Sequence, residues 1–287
     1  MPLKQPKTKV LQKVKYTGST MLSPLRLKIK YFKQKVPLQV DCDPFIIKTA
    51  ANGSDLKKIL KLRYRVFYKE LLNHRVFFGI DIDRFDFMCD HLMIIDKRVD
   101  RCVGTYRFTP SHKAKHFYSE TEFKIKEFVA LPEAKLELGR ACIEKAYRDG
   151  EVINLLWRGI AEYSKQTGAK YLFGCSSIKT TDPLDIAMVV KYVRENVNCR
   201  MPYPVVPKRK FRVKNLDLYL YLLEQYPERY DKRRARRMIP SLLKSYLRAG
   251  AMVAADPALD RSFKCIDLFT ILDFETLTDR LRKRYAL

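Results

Sequence analysis

The chain has 287 residues, 47% of them hydrophobic, with 57 lysines and arginines against 32 aspartates and glutamates, a net charge of +25. That length suits one large domain with a sizeable core, and the charge implies an anionic partner: nucleic acid, anionic lipid headgroups or an acidic protein. No run approaches the ~18 to 20 apolar residues of a membrane-spanning helix. The N-terminus reads as no secretory signal, and seven scattered cysteines without a C-x-x-C pair argue for free thiols in a reducing compartment.

Residues 1–40 carry ten basic side chains and no acidic one. They read as a basic arm, either disordered or lying as an amphipathic segment on a membrane surface, with the folded domain spanning 41–287. Phe45 to Ala50 reads as a strand, and Ser54 or Asp55 caps a helix running through Leu72. His91–Ile95 and Cys102–Phe108 are expected strands joined by a charged turn, followed by a strand over Lys135–Ile143. A helix over Ile153–Gln166 stops at Gly168, a buried strand covers Tyr171–Cys175, and Pro183 opens a further helix through Tyr192. Residues 198–214 read as a long basic loop, then come one basic helix over Arg229–Leu247 and a last strand over Asp267–Asp273. This is a mixed α/β order with an early antiparallel meander. His112 and His116 are four apart without a neighbouring carboxylate, so they read as a surface loop, and no metal site is expected.

The chemistry-bearing residues occur as short motifs in order. Leu62-Arg63-Tyr64-Arg65-Val66-Phe67 lies on the first helix. Asp83, Asp86 and Asp90 precede the second strand, Arg107 ends the third, and Leu136-Glu137-Leu138-Gly139-Arg140 lies on the fourth. Strand alternation points Glu137 and Arg140 to opposite faces unless a bulge intervenes. Arg63, beside an apolar helix face, suits an internal ion pair as well as a ligand. The D-x-x-D-x-x-x-D run reads equally as a solvated turn or as a group that orients Arg63 and Arg107 or holds an ammonium.

This ensemble, with the stretches Ile239–Ala251 and Asp256–Asp260, resembles the acyl-carrier-protein-dependent branch of the GNAT superfamily, and within it the L-ornithine N-alpha-acyltransferases. The resemblance spans roughly Phe45 to Tyr285 and implies a mostly antiparallel central sheet flanked by helices, with a basic helical C-terminal extension. It implies transfer of a (3-hydroxy) fatty acyl group from acyl carrier protein to the α-amine of an amino acid, most simply L-ornithine. It further implies an acidic role for Glu137, a bulge at Gly139 beside Arg140, and substrate contacts from Arg63, Phe67, Asp83, Asp86, Asp90 and Arg107. The alternative for Glu137 is a structural pair with Arg63 or Arg107.

Coenzyme-A-binding members carry a glycine-rich pyrophosphate loop after this strand, whereas here Ala146-Tyr147-Arg148-Asp149-Gly150-Glu151 has one glycine and two acids. No bound cofactor is therefore expected. The donor is the acyl-phosphopantetheine of acyl carrier protein, with Arg148, Gly150 and the Lys208-Arg209-Lys210 run as its contacts. The free thiols point to a cytoplasmic location, and the basic arm suits the inner face of an anionic membrane, where the amphiphilic product must go. Acylation of glycine or lysine, an acyl-homoserine-lactone-type synthase, and a nucleic-acid-binding protein are the alternatives; the last lacks any recognised binding module, so no nucleic acid is expected.

Overall fold

Strand alternation builds the centre of the molecule. The computed structural model describes residues 22–74, 78–199, 201, 203–254, 256–274 and 277. The chain enters through α1 (Leu22–Lys30) and runs through β1 (Gln39–Cys42) and β2 (Phe45–Thr49) to α2 (Gly53–Arg63), which continues as a π-helical stretch over Tyr64–Leu71. Then come β3 (Asp90–Asp96), β4 (Arg101–Pro110), β5 (Phe123–Lys124), α3 (Lys126–Ala130), β6 (Lys135–Ile143) and α4 (Glu151–Thr167). The second half contains β7 (Tyr171–Ile178), α5 (Pro183–Asn196), β8 (Val206–Pro207), α6 (Leu216–Gln225), α7 (Lys232–Met238), α8 (Ser241–Arg248), β9 (Met252–Val253), β10 (Ala258–Asp260) and β11 (Cys265–Asp273).

The main sheet runs β1-β2-β3-β4-β6-β7-β11-β10, with β9 added to β11. Every pairing is antiparallel except β6 with β7. Period-two alternation sorts the two faces. Leu92 and Ile94 of β3 pack with Leu156, Trp157 and Ile160 of α4, while Met93 and Ile95 pack with Leu56, Ile59 and Leu60 of α2. Burial of each such side chain contributes roughly 1.5–3 kcal/mol of transfer free energy. Helices on both faces of one sheet account for the layered architecture.

Several expectations change in detail. The α2 cap is Asn52, whose side chain accepts from Ser54 N and Asp55 N, because Asn52 sits in extended backbone one residue ahead of the first turn. The single basic helix expected over Arg229–Leu247 is two helices. Pro240 lacks an N–H and holds Ile239 in extended backbone, so α7 ends and α8 restarts beyond it. The long loop and its surroundings also contain α6, β8 and β10.

The arm expected over 1–40 is partly built into the domain. Phe32 and Leu38 are buried, and α1 sits so close to α2 that a Cβ on Gly53 would lie 2.0 Å from the Ile29 carbonyl oxygen. Residues 1–21, with five of that arm's ten basic side chains, lie outside the described residues. No helix among the described residues is long and apolar enough to cross a membrane.

Candidate active site

The sheet opens at its one parallel pair. β6 and β7 are in register only over Lys135–Glu137 against Tyr171–Phe173, and then they part. At the vertex a Cβ on Gly174 would lie 2.3 Å from the Leu138 carbonyl oxygen, so only glycine allows this approach. On its other edge, β6 pairs Gly139 with Arg107 and Cys142 with Thr105, leaving Arg140 and Ala141 opposite a single β4 residue. This is the expected bulge, displaced by one: the positive φ of 51° belongs to Arg140 and not to Gly139. The extra residue turns Arg140 to the side that Glu137 faces, and both side chains line the same cavity.

That cavity is about 420 Å³. Its apolar wall includes Phe67, Leu71, Leu138, Phe173, Leu243 and Leu272. The π-helical widening of α2 contributes Phe67 and Leu71, in keeping with the frequency of such segments at functional sites. On the opposite side α8 is tied to the sheet by a hydrogen bond between the hydroxyls of Tyr246 and Tyr106, 2.6 Å apart.

Beside the cavity lies a closed ion network of three arginines and three aspartates. Arg63 donates to Asp81 at 2.7 Å and to Asp86 at 2.6 and 3.2 Å. Arg107 donates to Asp83 at 2.7 Å and to Asp86 at 3.1 Å, and Arg140 donates to Asp83 at 3.0 Å. Burial alone would raise the Asp86 carboxyl, but Arg63 and Arg107 outweigh it and hold it well below the usual carboxylate range. Arg63 and Asp86 are fully buried within the network and do not line the cavity. Asp81, absent from the sequence reading, completes the network.

Asp90 is corrected as well. Its carboxylate accepts from Lys35 N at 2.7 Å, Val36 N at 3.0 Å and Tyr163 Oη at 2.8 Å, which fastens the segment before β1 to the sheet. Of the expected substrate contacts, Phe67 and Arg107 line the cavity, while Asp83 stands behind them as partner of Arg107 and Arg140.

Glu137 pairs with neither Arg63 nor Arg107. Its two oxygens accept from the backbone N–H groups of Tyr118 (2.8 Å) and Ser119 (2.6 Å). Burial raises its pKa against the pull of those N–H groups. Tyr118, thus anchored, stacks under both arginines, with Arg107 Cζ 5.5 Å and Arg140 Cζ 5.3 Å from its ring centre. Sequence reasoning passed over Tyr118 because nothing local distinguishes it from a core aromatic.

A second acidic group was also missed. Carboxylate oxygens of Glu122, Asp260 and Asp267, all buried, lie within 4.8 Å of one another, and Asp260 and Asp267 line the cavity. Burial first, then the neighbouring carboxylates, raises the pKa of Glu122; burial likewise raises Asp267 against a hydrogen bond from Ser177 Oγ. An acid inside a strand that reads Cys265-Ile266-Asp267-Leu268-Phe269 is the signal that could have found Asp267.

The expected donor contacts fare differently. Arg148, exposed, donates to Glu70 and to the Ile143 carbonyl. Gly150, with φ of 110°, precedes α4, where the Asp149 carboxylate already accepts Glu151 N at 3.0 Å. Arg209 and Lys210 are exposed, on a short turn whose Lys208 N donates to the Glu122 carbonyl.

Residues 62–158 match the model of the acetyltransferase (GNAT) domain. Over 256 residues the chain is 29% identical to the L-ornithine N(alpha)-acyltransferase of Rhizobium meliloti (strain 1021), covering 83% of each. It is likewise 29% identical over 254 residues to the enzyme of that name from Brucella abortus (strain 2308), covering 84% of this chain and 88% of the relative. The solved CoA-dependent acyl-homoserine lactone synthase BjaI covers 82% of this chain at 16% identity and a TM-score of 0.43, with 83% of its own chain covered. With its domain match, its bulged β6 and its acyltransferase relatives, the chain is a GNAT-fold N-acyltransferase that resembles the L-ornithine N(alpha)-acyltransferases over most of its length.

Proposed function

We propose that the protein transfers a fatty acyl group from acyl carrier protein to the α-amine of L-ornithine, giving a lyso-ornithine lipid. The observation that carries this reading is the largely apolar cavity between β6 and β7, bordered by the bulge at Arg140 and by Glu137. In the reaction the amine nitrogen attacks the thioester carbonyl, the C–N bond forms, the C–S bond breaks, and the pantetheine thiol leaves with a proton. Arg140 and Ala141 fall outside the register with either neighbouring strand. Backbone N–H groups in that stretch suit the developing oxyanion.

The carboxylate of Glu137 is held in place by the Tyr118 and Ser119 hydrogen bonds, and its raised pKa suits a group that takes a proton from the incoming ammonium through water. Gly139 and Arg140 shape the carbonyl site. Arg107 and Arg140 also face the acceptor's carboxylate, for Arg140 Nε is buried without a hydrogen-bond partner.

Carrier protein suits the donor side better than coenzyme A, because the α4 N-terminus is occupied by Asp149 and followed by Glu151. An acidic carrier is steered by the exposed Lys232, Arg233, Arg234, Arg236 and Arg237 of α7 together with Arg209 and Lys210. On α1 and just past it, exposed Leu27 and Tyr31 alternate with Arg26, Lys28, Lys30 and Lys33, a surface suited to an anionic bilayer.

The test is an assay of the purified chain with acyl carrier protein thioester and a panel of amino acids at several ionic strengths. Acylated ornithine is expected, with kcat/KM for the carrier falling as salt rises. Glu137→Gln is expected to lower kcat by roughly 10²-fold. No transfer to any amino acid would sink the reading.

A further inference from the structure

The cavity's polar surface has two unsatisfied ends of opposite sign. At one end is the buried Nε of Arg140, which has no hydrogen-bond partner. Behind the lining residues Asp260 and Asp267 at the other stands Glu122, 1% exposed, whose Oε2 is buried and has no partner either. A buried carboxylate oxygen without a donor is costly unless something absent from the structure supplies one.

Glu122 does not stand alone, since its carboxylate faces those of Asp260 and Asp267. Asp260 is held in place by the N–H groups of Ser262 and Phe263 at 2.7 and 3.2 Å, and Asp267 by Ser177 Oγ at 2.5 Å. The cation that bears on Asp267 is Arg140, which is already bonded to Asp83 and lies 3.6 Å from Asp81. Three carboxylates therefore converge, two of them on the cavity wall, with no arginine or lysine bonded between them among the described residues, in a protein whose net charge is +25.

We propose that Glu122, Asp260 and Asp267 form the subsite for a second ammonium group on the amino-acid acceptor, the δ-ammonium where the acceptor is ornithine. The inference rests on the acyl-transfer reading above and names the residues that select the substrate.

Geometry favours an ammonium. Oxygens within 4.8 Å of one another leave a point no farther than about 2.8 Å from all three (4.8 Å divided by √3). That matches a charge-assisted N–H···O contact, about 2.7–2.9 Å, and an ammonium brings three donors for three acceptors. A hard divalent cation would instead need six or more oxygens at about 2.0–2.6 Å, in a cavity whose wall is mainly apolar.

The arrangement also reads the rest of the molecule. Tyr118 touches Arg107 and Arg140 with its ring and borders Glu122, so the carboxylate and ammonium ends of one acceptor would lie on either side of it. That leaves the α-amine between the two ends, on the side of Glu137, whose oxygens hold the Tyr118–Ser119 backbone.

The experiment is calorimetric titration of the full chain, wild type and the variants Glu122→Gln and Asp267→Asn, with L-ornithine, L-norvaline (ornithine without its δ-amine) and Mg²⁺ or Mn²⁺, run beside the acyl-transfer assay. Ornithine is expected to bind wild type at least about tenfold tighter than norvaline, as hydrogen bonds to charged groups permit. Both variants are expected to reduce ornithine to the affinity of norvaline while leaving norvaline unchanged. Equal binding of the two amino acids to wild type would overturn the proposal. So would variants that keep the ornithine preference, or a divalent cation that binds at the trio and displaces ornithine. Ornithine that binds as expected but is never acylated would overturn the acyl-transfer reading alone.

Discussion

Two sets of carboxylates sit within one site and burial treats them in opposite ways. Asp83 and Asp86 face arginines, which more than offset desolvation and hold both carboxyls below their ordinary range. Glu122 and Asp267 face mostly one another and Asp260, so desolvation and like charge both push them up. A carboxyl whose pKa is raised by folding contributes stability that is complete below its unfolded value, near 4. That contribution is lost as pH rises through the folded value.

Glu122→Gln and Asp267→Asn are therefore expected to raise the melting temperature, by roughly 0.5–2 kcal/mol of stability. The gain should be larger at pH 9 than at pH 4.5; a gain that does not grow with pH would count against this assignment of charge. Arg63 was readable as an internal ion pair because an arginine among apolar residues must find an anion. Its partner Asp81 was not readable, since nothing in the sequence says which of Asp81, Asp83, Asp86 and Asp90 will meet it.

Strands and helices were legible wherever a single periodicity governs them. β6 falls at Lys135–Ile143 as expected, and α4 and α5 end within a few residues of their sequence bounds because Gly168, Asp182 and Pro183 punctuate them. The π-helical turn after Arg63 has no local signature, and the residues it displaces, Phe67 and Leu71, line the cavity. The break at Pro240 was legible and passed over, since basic residues on both sides suggested continuity.

The bulge in β6 was expected from the family resemblance, but which residue takes the left-handed backbone is decided by pairing with β4. The vertex of the opening depends on Gly174. Gly174→Ala places a methyl 2.3 Å from the Leu138 carbonyl oxygen, and neither strand backbone can yield cheaply. The expected result is a loss of roughly 1–3 kcal/mol in urea unfolding, as in overpacked interiors, with acyl transfer reduced further than the stability loss explains. An alanine variant of full stability would show that the vertex is softer than this.

At the scale of the molecule, positive charge is partitioned. Arg63, Arg107 and Arg140 are matched by Asp81, Asp83 and Asp86, whereas α1 and α7 display basic side chains outward. Composition could report the excess of +25 but not this division, because the partners lie 18 residues and more apart in sequence. A mixed α/β order with an early antiparallel meander followed from the elements alone, and the helix-flanked sheet from the family resemblance; the acidic trio followed from neither, since its members lie on separate segments of the chain.

The parting of β6 from β7 has a kinetic consequence. Beyond Glu137 and Phe173 the register of the two strands ends, so each turns a backbone edge inward. Such edges receive amide groups, as exposed sheet edges receive peptide strands. At the reacting atoms neither a thioester nor a free amine offers an N–H beside a carbonyl, but the secondary amide that acyl transfer creates offers both and stays with the product when the pantetheine arm leaves. The site thus becomes a better host after the bond is made than before. A rapid first turnover followed by a slower steady state is the expected time course, and a linear one from the first turnover would show that departure of the product does not limit the enzyme.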